Sequence, residues 1–276
     1  MSGSFRDCDV CGCAQPRLAY VKDGYSIVEC RGCGLVFVGE GLAKIDFASI
    51  YGESYYHSDS SRVFADYMGE EAARRASARR RVWGLRLHKW RGQLLDVGCA
   101  AGFFLAEARR YYEVKGVELS EYSSRYARER LGLDVFTGTL PDAGLPAQRF
   151  DLITLWDVIE HVAGPREVLR ECARLLKPDG RIVLTTGDIG SAYARRRGAQ
   201  WHLIAPPWHL YYFSRATISA LAEQAGLRVV ACKARGISGD QAWMRRRAAV
   251  AVTNLLGLGD IMHVTLVRHP SQALAE

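Results

Sequence analysis

Short apolar runs alternate with amphipathic runs along most of the chain after residue 90. The runs "LLDV", "FDLITLW" and "RIVLTT" have the length and the aliphatic content of buried strands, whereas "SSRYARERLG" and "GPREVLRECARLLKPDG" place apolar residues at helical spacing. Further segments that fit the same pattern are the strands "VKGVEL" and "LDVFTG" and the helix "FFLAEARRYY". This alternation predicts an α/β fold in which a parallel sheet is covered by helices on both faces.

The last third of the chain continues the pattern after a long loop that contains "WHLIAPPWHLYYF". The sequence predicts a helix at "SRATISALAEQAG", a strand at "LRVVACKA", a helix near 240–256 and a final strand at "IMHVTLVRH". Two strands at the end of the chain would extend the predicted sheet.

The first 40 residues carry a different signal, because five of the eight cysteines lie within them. Cys8 and Cys11 form one C-x-x-C-G knuckle, and Cys30 and Cys33 form a second one after a predicted hairpin. Two such knuckles predict a closed site of four thiolates, which is typical of structural zinc. We expect Cys13 to be a spare thiol. A disulfide framework would be typical of a shorter chain with a signal peptide.

Length and composition indicate one α/β core with a small additional module, because the chain has 276 residues and 49% hydrophobic content. We predict a zinc ribbon at 1–40, a linker and helical lid segment at 41–90, and a ligand-binding domain at 91–276. Neither a signal-peptide pattern nor an apolar run of about 20 residues appears, so we expect a cytoplasmic protein without a membrane segment.

The net charge of +7 is compatible with an acidic partner. Much of the excess comes from arginine clusters at 74–81, 195–197 and 245–247, which lie on predicted helices. Solvated helix faces are therefore the favoured interpretation.

The segment "LLDVGCAAGFF" resembles the glycine-rich turn between the first strand and first helix of nucleotide-binding α/β domains. Ala100 stands in the place of the middle glycine, between Gly98 and Gly102, and no lysine or arginine lies nearby to bind a phosphate. Glu118 ends the next strand and can accept hydrogen bonds from two ribose hydroxyls. The turn therefore predicts a ligand that carries a ribose but no phosphate.

The motifs "LLDVGCAAGFF", "GVELS", "FDLITLWDVIEHV", "LLKPDGRIVLTT" and "HLYYFSRATISALAEQAGL" follow one another as in class I S-adenosylmethionine-dependent methyltransferases, which the chain resembles over 91–276. The resemblance implies a seven-stranded sheet with an antiparallel last strand, and S-adenosylmethionine as cofactor. It places the ribose at Glu118 and the adenine beside Leu119. It also implies that Thr139 and Leu140 lie near the adenine edge. The residues that it implies around the methionine part are Asp96, Gly98, Ala100 and Gly102.

The whole chain resembles a narrower branch of bacterial methyltransferases that carry an N-terminal zinc ribbon, a Y-x-x-x-Y-Y segment and a late H-L-Y-Y-F-S motif. The resemblance implies a small-molecule acceptor in a sugar or natural-product pathway. Tyr51, Tyr55 and Tyr56 form the Y-x-x-x-Y-Y segment here, and we expect Tyr51 and Tyr55 to close over the cofactor.

Methyl transfer requires an aligned nucleophile and a group that takes its proton. His209 in the long loop is the first candidate for this base, because the ordinary pKa of histidine suits the task. The alternative is a histidine that only hydrogen-bonds to hold the loop. Asp157, Glu160 and His161 follow the fourth strand of the predicted sheet. With His209 they resemble the metal-binding set of small-RNA 2′-O-methyltransferases, which makes a divalent ion such as Mg²⁺ an alternative. The favoured interpretation is that Glu160 and His161 cap the next helix or pair with each other.

The sequence thus predicts an enzyme that methylates a hydroxyl of a small molecule, with N- or C-methylation as the nearest alternative. An RNA methyltransferase is a second alternative, but the predicted ribbon lacks alternating basic and aromatic residues, which argues against a nucleic-acid partner. A third is a protein that binds the cofactor without turnover. No sequence pattern indicates an oligomeric state.

Overall fold

The computed structural model describes residues 5–42, 68–235 and 259–269. Its strands and helices follow the predicted alternation. The strands are β1 (Arg17–Lys22), β2 (Tyr25–Glu29), β3 (Val36–Val38), β4 (Gly92–Val97), β5 (Tyr112–Glu118), β6 (Val135–Thr137), β7 (Phe150–Trp156), β8 (Leu176–Gly187), β9 (Tyr211–Tyr212), β10 (Leu227–Arg235) and β11 (Ile261–Arg268). The α-helices are α1 (Glu71–Arg86), α2 (Phe103–Ala108), α3 (Glu121–Leu131), α4 (Pro165–Leu175), α5 (Ala192–Arg197) and α6 (Arg215–Gln224).

Seven strands form the main sheet in the order β10-β11-β8-β7-β4-β5-β6. Strands β7, β4, β5 and β6 pair in parallel, whereas β10 and β11 are antiparallel. The first six residues of β7 are buried without alternation, as expected for a parallel strand that is covered on both faces. The predicted α/β fold with an antiparallel last strand is confirmed.

Local side-chain chemistry sets the ends of two helices. Ser120 caps the start of α3 by accepting a hydrogen bond from the backbone N–H of Ser123, and Gly132 ends it in the left-handed region at φ 61°. Ser214 and Thr217 cap the start of α6 reciprocally. These helices therefore begin and end where their sequences provide capping groups.

A second, four-stranded sheet has the order β1-β2-β3-β9. The hairpin predicted between the two cysteine knuckles is confirmed as β1 and β2. Strand β9 lies in the long loop, where the sequence predicts no strand, and pairs antiparallel with β3. A two-residue strand is too short to produce an alternating pattern, so only the tertiary pairing reveals it.

Two predicted helices end earlier than expected. The segment "FFLAEARRYY" is helical only to Ala108, because Tyr112 begins β5 and its buried hydroxyl donates to the carbonyl of Lys89 at 2.7 Å. The sequence "LLKPDG" resembles a helix end and turn, yet β8 begins at Leu176. The ammonium of Lys177 in this strand lies 2.8 Å from the Asp151 carboxylate, a long-range contact that the local turn signal does not reveal.

The chain divides into two compact units. The ribbon unit comprises the described residues of Met1–Ile45, Asp157–Arg170 and Val183–Glu276, and the glycine-turn unit comprises those of Asp46–Trp156 and Glu171–Ile182. Division into domains at 1–40, 41–90 and 91–276 stays a proposal. The predicted helix near 240–256 and Tyr51, Tyr55 and Tyr56 lie outside the described residues. Among the helices of the described residues, none has the length and hydropathy needed to cross a membrane.

Candidate functional site

The turn after β4 has a left-handed backbone at three positions. Gly98, Ala100 and Gly102 have φ angles of 67°, 48° and 79°. Alanine is disfavoured in this region by about 1–2 kcal/mol, so Ala100 holds a conformation that glycine would adopt without strain. The substitution at the middle glycine position therefore leaves the turn intact.

Gly102 is required for a second reason, which is space. A Cβ atom at this position would lie 2.6 Å from Cδ1 of Leu133 and 3.0 Å from Cβ of Ala127. The turn thus packs directly against helix α3 and the residues that follow it, and the start of α2 is fixed relative to both.

Gly102→Ala is expected to destabilise the protein by roughly 2–3 kcal/mol, because it adds a steric overlap to an unfavourable φ. Gly132→Ala is the matched control, since Gly132 also has a positive φ of 61° but no atom within 4 Å of its virtual Cβ. We expect the control to cost about 1 kcal/mol. The midpoints of urea unfolding measure both values, and equal losses would contradict the packing argument.

Glu118 is buried at the end of β5 and fixes the turn through its carboxylate. One oxygen accepts a hydrogen bond from the backbone N–H of Ala100 at 2.8 Å, and the other accepts from the N–H of Ser120 at 2.8 Å. Burial raises the pKa of Glu118, and these backbone hydrogen bonds oppose the rise. A carboxylate oxygen can accept more than one hydrogen bond, so both oxygens retain capacity for ligand hydroxyls.

Asp96 provides a second buried carboxyl in the same turn. Its Oδ1 accepts a hydrogen bond from the hydroxyl of Thr154 at 2.6 Å. Burial raises the pKa of Asp96 to about 7, and the charge of Arg81 partly offsets that rise. A cationic ligand with hydroxyl groups would stabilise the ionised forms of Asp96 and Glu118.

The remaining residues that the resemblance assigns to the cofactor also lie in the glycine-turn unit. Leu119 is exposed immediately after Glu118, and Leu140 is buried. Thr139 is exposed and its hydroxyl donates to the carboxylate of Asp142 at 2.5 Å. The described cofactor candidates are therefore all supplied by one compact unit.

The ribbon unit brings Glu160, His161 and His209 together. One potential ligand atom from each lies within 4.8 Å of the others, and the two imidazole rings meet edge to face with centroids 4.6 Å apart. Glu160 and His209 are only 4% and 6% exposed. Among the described residues, Oε2 of Glu160 has no hydrogen-bond partner.

Both histidines are held as neutral rings with the same tautomer. Nδ1 of His161 lies 2.7 Å from the carbonyl oxygen of Trp208, and Nδ1 of His209 lies 2.7 Å from that of Leu203. A carbonyl only accepts, so each Nδ1 carries the hydrogen and each Nε2 carries the lone pair. The sequence favoured Glu160 and His161 either as caps of the next helix or as a pair, whereas the contact that orients the His161 ring is with the carbonyl of Trp208.

Burial determines the protonation of this cluster. It lowers the pKa of His161 to about 4 and that of His209 to about 3, and it raises the pKa of Glu160 to about 8. The ordinary histidine pKa that the sequence suggested for His209 is therefore shifted well to the acid side. At neutral pH the cluster consists of two neutral imidazoles and a protonated carboxyl.

Asp157 has a different environment from its neighbours in sequence. It is exposed, adopts a left-handed φ of 57°, and its Oδ1 accepts from the hydroxyl of Thr185 at 2.8 Å. Non-glycine residues in this region are uncommon and often mark functional sites. Its charge contributes to the raised pKa of Glu160.

The four predicted cysteine ligands form one group whose sulfur atoms lie within 4.8 Å of one another. Sγ of Cys8 lies 3.5 Å from Sγ of Cys33, and Sγ of Cys11 lies 3.3 Å from Sγ of Cys30. Tetrahedral Zn²⁺ with Zn–S bonds of about 2.3 Å separates its sulfurs by about 3.8 Å. Burial raises the pKa of Cys33 to about 11, so a bound cation would be needed to keep that sulfur ionised. The donor set and geometry fit zinc.

Sequence reasoning gave no role to Thr154 or Arg81 and did not identify the partner of Tyr211. Thr154 and Arg81 act on Asp96, whereas the hydroxyl of Tyr211 lies 2.7 Å from the carboxylate of Asp9 in the first cysteine knuckle. Thr154 and Tyr211 belong to motifs quoted above, but their partners are distant in the sequence. The "HLYYFS" segment was the available signal for Tyr211, but the segment does not reveal the partner.

Comparison with known proteins identifies the family and agrees with the fold. A family model described as "Methyltransferase domain" matches residues 67–232, which is more than half of the chain. Among solved structures, a SAM-dependent methyltransferase from Archaeoglobus fulgidus superposes with a TM-score of 0.55 at 19% identity, covering 73% of this chain and 98% of that one. An S-adenosylmethionine dependent methyltransferase from Mesorhizobium loti gives 0.50 at 20% identity, covering 67% and 96%. At these identities the structures show the fold alone.

Curated relatives share parts of the sequence. The chain is 38% identical over 104 residues to the ubiquinone biosynthesis O-methyltransferase of Alkalilimnicola ehrlichii, covering 34% of this chain and 41% of the relative. It is 32% identical over 151 residues to the protein of the same name from Stutzerimonas stutzeri, covering 50% and 65%. The matches therefore span less than two thirds of the length of these relatives.

Proposed function

Since the chain belongs to the methyltransferase-domain family, we propose that it transfers a methyl group from S-adenosylmethionine to a hydroxyl of a small molecule. The observation that carries the proposal is the buried Glu118 carboxylate, which the N–H groups of Ala100 and Ser120 hold in place at 2.8 Å. A carboxylate fixed in this way suits the two hydroxyls of a ribose.

The cofactor supplies the chemistry, because its sulfonium makes the methyl group electrophilic. In this proposal Glu118 binds the ribose, Leu119 covers one face of the adenine, and Thr139 and Leu140 border its edge. Asp96, Gly98, Ala100 and Gly102 border the methionine part, whose ammonium complements the buried carboxyl of Asp96. Tyr51 and Tyr55 stay predictions.

Oxygen is proposed as the acceptor atom because the curated relatives are named O-methyltransferases. The name of these relatives also supports a small-molecule acceptor. Their name offers no support for the narrower expectation of a sugar or natural-product pathway, so the class of acceptor is proposed only as a hydroxyl compound. N- and C-methylation are outcomes of the test below.

His209 is proposed to take the proton of the acceptor hydroxyl through Nε2, while its Nδ1–H stays bound to the carbonyl of Leu203. A weak base suffices, because the acceptor O–H becomes strongly acidic as its oxygen forms the new bond to carbon. Before that proton arrives the cluster carries no positive charge, because the buried carboxyl of Glu160 is protonated and the ring of His161 is neutral.

The pH dependence of the reaction distinguishes this His209 from an ordinary histidine base. Since its pKa is about 3, the ring stays neutral well below neutral pH, and we expect kcat, measured with saturating cofactor and acceptor, to be flat from about pH 5 to about pH 7. His209→Gln is expected to lower kcat by on the order of 100-fold. Initial rates across this range measure both effects.

His202→Gln serves as the control, because His202 belongs to the same loop but not to the cluster. We expect it to retain the wild-type rate within about twofold. If kcat of the wild type fell toward acid pH with a midpoint near the ordinary histidine pKa, His209 would be excluded as the buried base.

Two metal assignments follow from the donor atoms. Zn²⁺ is proposed at Cys8, Cys11, Cys30 and Cys33 as a structural ion, because a closed four-thiolate set leaves no position for substrate. The alternative of Mg²⁺ at the Glu160 cluster is not supported, since the three grouped residues offer one carboxyl and two imidazoles, whereas Mg²⁺ prefers oxygen ligands.

The test is an assay of methyl transfer from S-adenosylmethionine to four acceptor classes: catechols and phenols, sugar hydroxyls, primary amines, and RNA. Mass spectrometry of the product locates the added methyl group. Methylation of a hydroxyl on a small molecule supports the proposal, whereas methylated RNA or an N- or C-methyl product would overturn it. Cofactor binding without transfer to any acceptor would favour a non-catalytic binder.

A further inference from the structure

Strand β9 connects the ribbon sheet with the loop that carries His209. β9 pairs antiparallel with β3, and the N–H of Val38 donates to the carbonyl of Leu210 at 2.9 Å. Leu210 follows His209 directly in the chain. The sheet β1-β2-β3-β9, whose strands lie beside the two cysteine knuckles, thus fixes the backbone immediately beside the proposed base.

The side chain of Tyr211 in β9 reaches the first cysteine knuckle. Its hydroxyl lies 2.7 Å from the carboxylate of Asp9 and accepts from the guanidinium of Arg6 at 3.3 Å. Arg6 and Asp9 form an ion pair with each other. Asp9 lies between Cys8 and Cys11, so its direction depends on the backbone conformation of the knuckle.

Tyr211 and the preceding residue, Leu210, also hold the turn that contains Glu160. The N–H of Leu210 donates to the carbonyl of Glu160 at 2.8 Å, and the Tyr211 hydroxyl lies 2.9 Å from the carbonyl of Ala163. One phenolic hydrogen is therefore shared between Asp9 and Ala163. Tyr211 is 1% exposed, whereas the Asp9 side chain is 33% exposed, so water reaches this contact only from the side of Asp9.

We infer that metal binding at the four cysteines positions Glu160 and His209 for the proposed reaction, with Tyr211 as the positioning residue that joins the knuckle to β9. The inference rests on the proposed function for its effect on turnover. Its structural part concerns only contacts within the ribbon unit.

The physical reason is that a tetrahedral ion fixes both knuckles at once. With the first knuckle fixed, Asp9 holds the hydroxyl of Tyr211, and Tyr211 and Leu210 hold the turn from Glu160 to Ala163. Without the ion, these residues lose a fixed anchor. The described cofactor candidates belong to the glycine-turn unit. We therefore expect loss of this anchor to lower turnover more than it lowers the affinity for the cofactor.

The experiment compares Tyr211→Phe with the wild type in the full-length, zinc-loaded protein. We expect the bound zinc and the dissociation constant for S-adenosylmethionine to stay within about twofold, and kcat to fall roughly tenfold because the reacting groups lose alignment. Nitrogen-15 NMR of labelled histidines is the second readout. Signals of Nδ1–H in His161 and His209, assigned with His161→Gln and His209→Gln, should broaden or shift in the variant and after chelation of zinc.

Tyr112→Phe is the matched control, because Tyr112 is also buried and its hydroxyl donates to a backbone carbonyl, that of Lys89. It should leave the two histidine signals unchanged. Unchanged signals in both Tyr211→Phe and the zinc-free protein would overturn the inference. A loss of cofactor affinity in Tyr211→Phe as large as its loss of kcat would also overturn it. The NMR result stands even if the wild type methylates none of the acceptors, so the two proposals fail separately.

Discussion

Replacement of Glu118 by glutamine is expected to weaken S-adenosylmethionine binding by on the order of 100-fold. The carboxylate accepts two backbone hydrogen bonds at 2.8 Å and is proposed to accept the ribose hydroxyls as well. Glutamine replaces one acceptor oxygen with an NH₂ group, which would face either the N–H of Ala100 or that of Ser120. Isothermal titration calorimetry of wild type and variant measures the difference.

The control for this prediction is Glu113→Gln, which makes the same chemical change at an exposed position of the same strand. Among the described residues, its carboxylate accepts one hydrogen bond, from the side-chain amide of Gln93 at 3.2 Å. We expect its affinity for the cofactor to match the wild type within about twofold. Equal affinity of the Glu118 variant and the control would show that Glu118 does not bind the ribose.

Replacement of Cys30 by serine is expected to remove the zinc and unfold the ribbon sheet β1–β3. The buried sulfur of Cys30 is one of four in the group and also accepts the N–H of Gly32 at 3.3 Å. Structural zinc contributes about 10–16 kcal/mol to the folding of small modules, which exceeds what so small a core can replace. Metal analysis and the protection of β1–β3 amides from hydrogen exchange measure the loss.

Cys13→Ser is the matched control, because Cys13 lies between the two knuckles but outside the group of four. This variant should retain one zinc per chain and wild-type amide protection. Retention of zinc by Cys30→Ser with full protection would contradict the four-thiolate assignment.

The parts of the fold that depend on short-range spacing could be predicted from the sequence. The two knuckles and the glycine turn are examples, because their ligands and positive φ angles lie within a few residues of one another. The turn tolerates Ala100 at φ 48°. Packing of the buried strand β7 was predictable from its uninterrupted apolar run.

Other features depend on partners that are distant in the sequence. The hydrogen bond between Tyr211 and Asp9 joins residues 202 positions apart, and no periodicity predicts it. The start of β8 was missed because the turn signal in "LLKPDG" is local, whereas Lys177 pairs with Asp151, 26 positions away. Similarly, the low pKa of His209 follows from burial, which its sequence neighbours do not reveal.

Calorimetric titration of the wild-type protein with S-adenosylmethionine and with its demethylated product tests the cofactor assignment directly. Both ligands are expected to bind at one site per chain and to lose affinity in Glu118→Gln. Absence of binding by either ligand to correctly folded, zinc-loaded protein would contradict the assignment of the glycine turn to this cofactor.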